Sequence, residues 1–425
     1  RHLVLHLLDF LAQNEVFSKD DLLNAKSSLL ANTGLVDLQT ENYKALGQDP
    51  SEDHETRQKK VSENLTTLES KCSTLLAWIK DNTEELEKLK NEKNFDVSAF
   101  EKDHKINPGE MEALHRYAKA QYESGAYSDA SANLSTYLLF VSFEDIPRKE
   151  ILSASWGKLS IEIMAKNWDL AAVEITKLKE LIDSGKFGKP VDQLQQRAWL
   201  LHWSLFVYFK GEKPINEFVE LCFQPSYLNA LQTTSPHLLR YLTIAVITNT
   251  EKRRTSEVED LVRVLQQEQS NYQDPITNFL KCLFVEFDFD TAQQKVQACS
   301  EVLSQDYFLQ DKQEAFTESA RLFIFETYCR IHQRIDIQML ADKLAMKDNE
   351  QAELWIVNLI RNAKLDAKID LASGQVIMGT KSMSVYEQVL DKTKNLHFQS
   401  NQLASFLLQE QICHHNFQCS INEQN

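Results

Sequence analysis

The stretch that decides the fold is IDIQMLADKLAMKDNEQAELWIVNLIRNAKLDAKIDLASGQVIMGT, Ile335–Thr380. Ile337, Leu340, Ala341 and Leu344 fall at i, i+3, i+4 and i+7, one face of a helix. Asp348 or Asn349 can cap a second helix, whose buried face carries Ala352, Trp355, Ile356, Leu359 and Ile360. Ala367, Ile369 and Leu371 then alternate with Lys368 and Asp370. Ser373-Gly374 supplies a tight turn, and Gln375-Val376-Ile377-Met378 returns as a second, outer strand. Helix, turn, helix and hairpin make the plan of a winged helix. Such a unit serves either to read nucleic acid or to join subunits.

Working outward, the chain of 425 residues holds only 10 Gly and 8 Pro, which favours long helices over a many-stranded sheet. Residues 1–50 read as an N-terminal helical segment: His2, Leu3, Leu5, Leu7, Leu8 and Leu11 are densely apolar, and Leu22, Leu23, Leu29 and Leu30 follow. Residues 51–110 read as one long helix and a polar link. Val61, Leu65, Leu68, Cys72, Leu75 and Ile79 are spaced 4, 3, 4, 3, 4, a heptad seam that Asn82, Leu86 and Leu89 continue. The seam fits either a coiled coil with a partner or a helix docked on its own domain.

Residues 111–320 show a recurring local pattern. Tyr127, Ala130 and Leu134 stand as aromatic, small and aliphatic at +3 and +4. Trp168, Ala171 and Ile175 repeat it, as do Phe289, Ala292 and Val296. The small Ala lets a second helix approach, the aromatic fills the elbow and the aliphatic extends the buried face, as in tetratricopeptide-like hairpin repeats. Trp199–Phe209 and Leu238–Ile247 are apolar nearly all round, as buried helices are. Pro214, Pro225, Pro236 and Pro275 mark helix boundaries. The expected fold is therefore mostly α: a right-handed helical-repeat superhelix, fused to a winged helix over 321–382. A final helix and polar tail follow over 383–425, with Val389, Leu396 and Leu403 seven apart.

Charge and cysteine usage narrow the function. Acidic residues outnumber basic ones, 62 to 46, for a formal net charge of −16, which disfavours non-specific coating of nucleic acid. The seven cysteines form no C-x-x-C pair and suit a reducing cytosol or nucleus. No apolar run reaches membrane-spanning length, and no secretory signal is visible. The chain starts at Arg1 rather than Met, so the true N-terminus and any targeting signal are expected to lie outside it.

Chemistry-bearing motifs are scarce. No P-loop, dinucleotide-binding glycine motif, G-x-S-x-G or H-E-x-x-H occurs, and no cofactor or catalytic residue is expected. Asp288 and Asp290 read as helix caps rather than a catalytic pair, and His202 as a packed, hydrogen-bonded histidine. Cys413, His414, His415 and Cys419 have ligand chemistry for zinc but no second paired motif, so no metal is expected. In the winged helix, Asp348, Asn349, Glu350 and Glu353 stand where a groove-reading helix would meet phosphates. Arg361, Lys364 and Lys368 form a modest basic cluster, a candidate local RNA contact or a solvated rim. Lys368, Ile369, Asp370, Gln375, Ile377 and Met378 are candidates for a protein interface, because a sheet edge offers unpaired backbone groups to a neighbour. Val389, Leu396 and Leu403 are candidates on the last helix.

Helical repeats running into a terminal winged helix resemble the PCI domain, shared by the proteasome lid, the signalosome and translation initiation factor three. Particular strings go further: Trp203-Ser204-Leu205-Phe206-Val207, Tyr227-Leu228-Asn229-Ala230, Arg240-Tyr241-Leu242-Thr243, Ala245-Val246-Ile247-Thr248-Asn249, Arg321–Thr327, Trp355–Ala363 and Leu365–Asp370. These look like the e-subunit family of eukaryotic translation initiation factor 3. The resemblance implies a non-catalytic, cytoplasmic scaffold (with a nuclear pool possible), working within a complex that binds the small (40S) ribosomal subunit and recruits messenger RNA. It implies neighbours among the c, l and d subunits, met through the hairpin, the PCI region and a bundle joined by the last helix. The alternatives are a subunit of the signalosome or proteasome lid, or a winged-helix regulator that binds nucleic acid.

Overall fold

The computed structural model describes residues 2–14, 17–31, 33–46, 52–81, 108–141, 148–184, 189–211, 215–249, 255–332, 334–336, 367–370, 375–378, 386, 389–390 and 392–404. The chain divides into two compact units, Arg1–Ile324 and Phe325–Asn425.

The first unit is helical among the described residues. It opens with α1 (His2–Gln13), α2 (Lys19–Leu30) and α3 (Val36–Leu46). Ser18 caps α2, accepting from the Asp21 amide at 3.3 Å, and Asp20 and Asp21 complement the dipole of its first turn. Leu5, Leu30 and Leu35 form a small core between these helices. Gly34 is needed for a close approach: a Cβ there would stand 2.9 Å from the Glu123 carbonyl oxygen.

The seam expected as one helix is carried by two, α4 (Glu52–Lys71) and α5 (Ser73–Asp81). The break at Cys72 has a local cause. Ser70 Oγ, Cys72 Sγ and Ser73 Oγ each donate to a carbonyl of the preceding turn, and the Cys72 amide is shared between Leu68 and Glu69. Such bonds compete with the regular ladder and bend it. Cys72 and Leu75 are fully buried, Leu75 in a core with Met111, Leu114, Ala118, Leu134, Tyr137 and Ala154, and Ile79 packs against that core. This end of the seam docks on its own domain. Asn82, Leu86 and Leu89 lie outside the described residues.

Two helical hairpins follow, α6 (Pro108–Ser124) with α7 (Tyr127–Val141) and α8 (Arg148–Met164) with α9 (Trp168–Asp183). The aromatic of each sequence pattern is the first residue of the second helix. Ala130 and Ala171 are fully buried, and Leu134 and Ile175 nearly so. The turns also match. Gly125 (φ 95°) and Lys166 (φ 60°) are left-handed two positions before the aromatic. The next amide reaches back five residues, Ala126 to Gln121 and Asn167 to Glu162, closing the helix end in a Schellman arrangement.

Next come α10 (Pro190–Lys210), α11 (Asn216–Cys222), α12 (Pro225–Thr234), α13 (Leu239–Thr248), α14 (Thr255–Gln267) and α15 (Pro275–Lys281). Pro190, Pro225 and Pro275 occupy first turns, where the missing N–H has no intrahelical partner anyway; Pro214 lies outside the described residues. Leu238, Leu239 and 242–247 are buried, as their composition predicts. Trp199 departs from that expectation at 47% exposed.

A third hairpin joins α15, through a π-helical turn at Cys282–Glu286, to α16 (Phe289–Gln305). Its aromatic again starts the second helix and Ala292 is fully buried, but the buried face continues through Cys299 and Leu303 rather than Val296. The chain then enters α17 (Gln313–Ile331), where Phe316, Ala320 and Phe323 are buried. An aromatic cluster links distant segments of this unit. Phe206 meets Phe308 at 4.8 Å between centroids, Tyr241 meets Phe308 at 5.8 Å, and Phe10 of α1 meets Tyr307 at 5.4 Å.

The second unit holds an antiparallel sheet of β1 (Arg334–Asp336), β2 (Ala367–Asp370) and β3 (Gln375–Met378), in the order β1-β3-β2. Two expectations are corrected here. Ile335 lies in a strand, where the sequence predicts that the stretch opens on a helix; three residues are too few to show alternation. The returning strand β3 is central, so Ile377 and Met378 are not on an outer strand. A third strand, β1, supplied from upstream of the hairpin, fills that edge. The expected helices over 337–360 lie outside the described residues.

Candidate assembly surfaces

The sheet is built in cross-strand rows. Register aligns Ile335, Val376 and Ile369 in the middle row. Ile335 and Val376 are buried, at 2% and 0% exposure. On one side of that row stand Arg334, Ile377 and Lys368; on the other, Asp336, Gln375 and Asp370. Ile377 is exposed on the face opposite Val376, as a two-residue period demands. Both ladders of β3 are satisfied by its neighbours. The backbone edges belong to β1 and β2, and no further strand of the described residues pairs with either.

This separates the expected interface residues. Lys368, Ile369 and Asp370 fall on an edge strand, whereas Gln375, Ile377 and Met378 fall on the central one. Of the basic cluster, Lys368 lies in β2, while Arg361 and Lys364 lie outside the described residues. Sequence reasoning missed β1 altogether, and with it Arg334, which shares a row with Lys368 across Ile377. A three-residue strand, Arg334-Ile335-Asp336, is too short to have announced itself by alternation.

Residues 389–390 and 392–404 are helical, and every side chain described among them is exposed. Val389, Leu396 and Leu403 are more than half exposed, as are Leu390 and Phe398. Exposed apolar side chains repeating along a helix mark a surface that another helix can cover.

The residues weighed for chemistry have structural partners. Asp288 caps α16, accepting from the Asp290 amide at 3.2 Å and the Thr291 amide at 3.1 Å. His202 Nδ1 donates to the Ala198 carbonyl at 2.7 Å, because a carbonyl can only accept. Its Nε2 therefore receives the proton of His237 Nε2, 2.8 Å away, when both rings are neutral. His237 is held below the usual histidine range by burial, then by His202 and Arg240. Burial pushes the Cys299 and Cys329 thiols up to about 12, which keeps them protonated and unreactive. Among the described residues no group of three or more metal-ligating side chains gathers; Cys413, His414, His415 and Cys419 lie outside them. No described helix is long and apolar enough to cross a membrane.

A tryptophan corner lies on the helical unit. Trp156 Nε1 donates to Gln196 Oε1 at 2.7 Å, and its ring meets Trp203 at 4.8 Å and Trp199 at 6.4 Å, both edge-on.

Comparison with known proteins brings these features together. The family model described as eIF3 subunit 6 N terminal domain matches residues 1–121, and the PCI domain model matches residues 296–380. The E subunit of eukaryotic translation initiation factor 3 from Arabidopsis thaliana is 41% identical over 422 residues, covering 96% of this chain and 94% of the relative. Its namesake from Drosophila ananassae is 40% identical over 410 residues, covering 96% and 92%. That from Drosophila persimilis is 41% identical over 410 residues, with the same coverage of 96% and 92%.

Proposed function

Because this chain belongs to the E-subunit family of eukaryotic translation initiation factor 3, we propose that it is a non-catalytic scaffold of that factor, holding neighbouring subunits through its sheet edges and its last helix. The observation that carries this reading is the three-stranded sheet, whose outer strands pair with no further strand of the described residues and so offer an edge for a neighbour's strand. The exposed apolar side chains of 389–403 supply a second surface of the kind buried in a helical bundle. The described helices serve packing and turn-making, with Asp288 used in a cap and His202 in internal hydrogen bonds. In this reading the protein works in the cytoplasm, its neighbours include the c, l and d subunits, and it meets the small (40S) ribosomal particle through the complex. Arg334 and Lys368 give a small basic row for a local RNA contact.

Proline substitutions along β2 test the edge. In a strand successive N–H groups face opposite sides, so of Lys368→Pro and Ile369→Pro one removes a donor facing β3 and the other a donor facing outward. The outward-facing variant should lose other subunits in purification from cells while keeping its helical circular dichroism. Recovery of the same subunits at parental levels with both variants would refute the edge contact. Purification of the parent chain only as a free monomer would refute the scaffold.

A further inference from the structure

Two histidines from separate segments of the helical unit turn the same nitrogen toward one another. His202 lies in α10, and His237 in the short turn Pro236–Leu238 that precedes α13. Their Nε2 atoms stand 2.8 Å apart, with ring centroids at 5.0 Å. His237 is exposed, so the point where the two nitrogens converge is open to water.

Each ring is prepared as a ligand. His202 Nδ1 donates to the Ala198 carbonyl at 2.7 Å, which fixes the tautomer and leaves the Nε2 lone pair facing His237. A backbone carbonyl on the far nitrogen is the arrangement that orients metal-ligating histidines. Burial holds the His237 pKa below the usual range, so its ring is neutral near pH 7, the form that binds metals. Arg240, which also acts on His237, is engaged by two carboxylates, Asp274 at 2.7 Å and Asp306 at 3.5 Å, so these charges together do not repel a cation.

We propose that His202 and His237 bind a divalent transition-metal ion of the zinc type between their Nε2 atoms, pinning α10 to the turn ahead of α13. Imidazole nitrogen selects such ions over magnesium or calcium. Zinc–nitrogen bonds of about 2.0–2.1 Å put two nitrogens of a tetrahedron about 3.3 Å apart, so the rings part by about 0.5 Å. An exposed ring on so short a turn allows that movement. The proton on His237 Nε2 passes through solvent to Nδ1, and both rings stay neutral. Among the described residues no third ligating side chain joins the pair, so water fills the remaining positions and the ion exchanges readily. This site is separate from the sheet edges and the last helix, and its test needs no other subunit.

Acylation of the purified full chain by diethylpyrocarbonate at about pH 7.5, mapped by peptide mass spectrometry, reads the site directly. The readout is taken at His237, because Cys413, His414, His415 and Cys419 have zinc chemistry of their own. Without metal, His237 carries its proton on Nε2 and a lone pair on Nδ1, and should react. Zinc on Nε2 puts the proton on Nδ1, so zinc should slow the reaction at His237 at least about tenfold, and magnesium should not. In His202→Phe and His202→Gln, half-protection of His237 should need at least about tenfold more zinc. Equal rates at His237 of the parent chain with and without zinc, or equal protection by magnesium, would overturn the proposal whether or not the variants fold. The parental zinc dependence in either variant, with helical circular dichroism intact, would overturn the pairing of the two rings.

Discussion

Replacing Arg240 with methionine should destabilise the helical unit by about 3 kcal/mol. Arg240, near the start of α13, forms a fork on Asp274: Nε donates to one carboxylate oxygen at 3.1 Å and Nη2 to the other at 2.7 Å. Asp274 is 4% exposed, at the N-cap of α15, and Asp306 lies 3.5 Å from Nη1 while accepting the Tyr241 hydroxyl at 2.8 Å. Burial alone would lower the guanidinium pKa, but the hydrogen bonds and charge of Asp274 more than offset it, so the group stays charged. Breaking a buried pair by removing one partner typically costs about 3–5 kcal/mol, since the other charge is stranded. Arg240 is partly exposed, and Asp274 keeps its helix-capping bond to the backbone, so the low end applies. With unfolding entropy of about 2.1 cal/mol/K per residue, that loss lowers the melting temperature by roughly 4 °C. The double variant Arg240→Met/Asp274→Asn removes the stranded charge and should recover at least about 1 kcal/mol relative to Arg240→Met. Urea unfolding followed by tryptophan fluorescence measures both. A cost below about 1 kcal/mol for Arg240→Met, or no recovery in the double variant, would refute the assignment of a tightly coupled buried pair.

Two further outcomes can be checked by the same unfolding assay. Gly211→Ala should cost about 1–3 kcal/mol, because a Cβ at this cap of α10 would overlap the Val207 carbonyl oxygen and press on the Trp168 ring; a neutral outcome would show that the turn relaxes freely. His2, stacked on Tyr122 and hydrogen-bonded to Tyr127, has its pKa lowered to about 4 chiefly by burial, so the unfolded chain takes up its proton first as pH falls. Its contribution to stability is present above the unfolded value near 6.5 and declines as pH falls toward 4, by about 2 kcal/mol between pH 7.5 and 5. The variant His2→Phe should flatten that part of the pH profile, and an unchanged profile would count against a buried neutral imidazole.

Sequence alone located the hairpins but not their turns. Tyr127, Trp168 and Phe289 are each the first residue of a helix, because an aromatic there fills the elbow while the alanine three residues on admits its neighbour. The left-handed residue two positions earlier stayed hidden, since only Gly125 has the residue type that announces such a backbone. The seam through Cys72 was visible because burial follows apolar spacing. The break within it was not, because hydrogen bonds from Ser70, Cys72 and Ser73 leave that spacing intact. The hairpin of the sheet was legible from alternation and Ser373-Gly374. The strand order was not, because β1 comes from far upstream and local pattern carries no record of which edge it joins. The candidate residues of the hairpin accordingly fall on one small sheet, divided between an edge strand and its centre.

The rows of that sheet give its margins a polarity. In each outer strand a basic and an acidic residue stand two positions apart, Arg334 with Asp336 and Lys368 with Asp370, and register sets like residue types level across the ribbon. A strand added at either edge, as proposed, would meet a cationic residue position at one end and an acidic one at the other. Reversed, a strand bearing its own ordered pair of charges would set like against like, an unfavourable arrangement across paired strands. On the proposed edge contact, that order of residue types would let an otherwise generic backbone seam distinguish heads from tails.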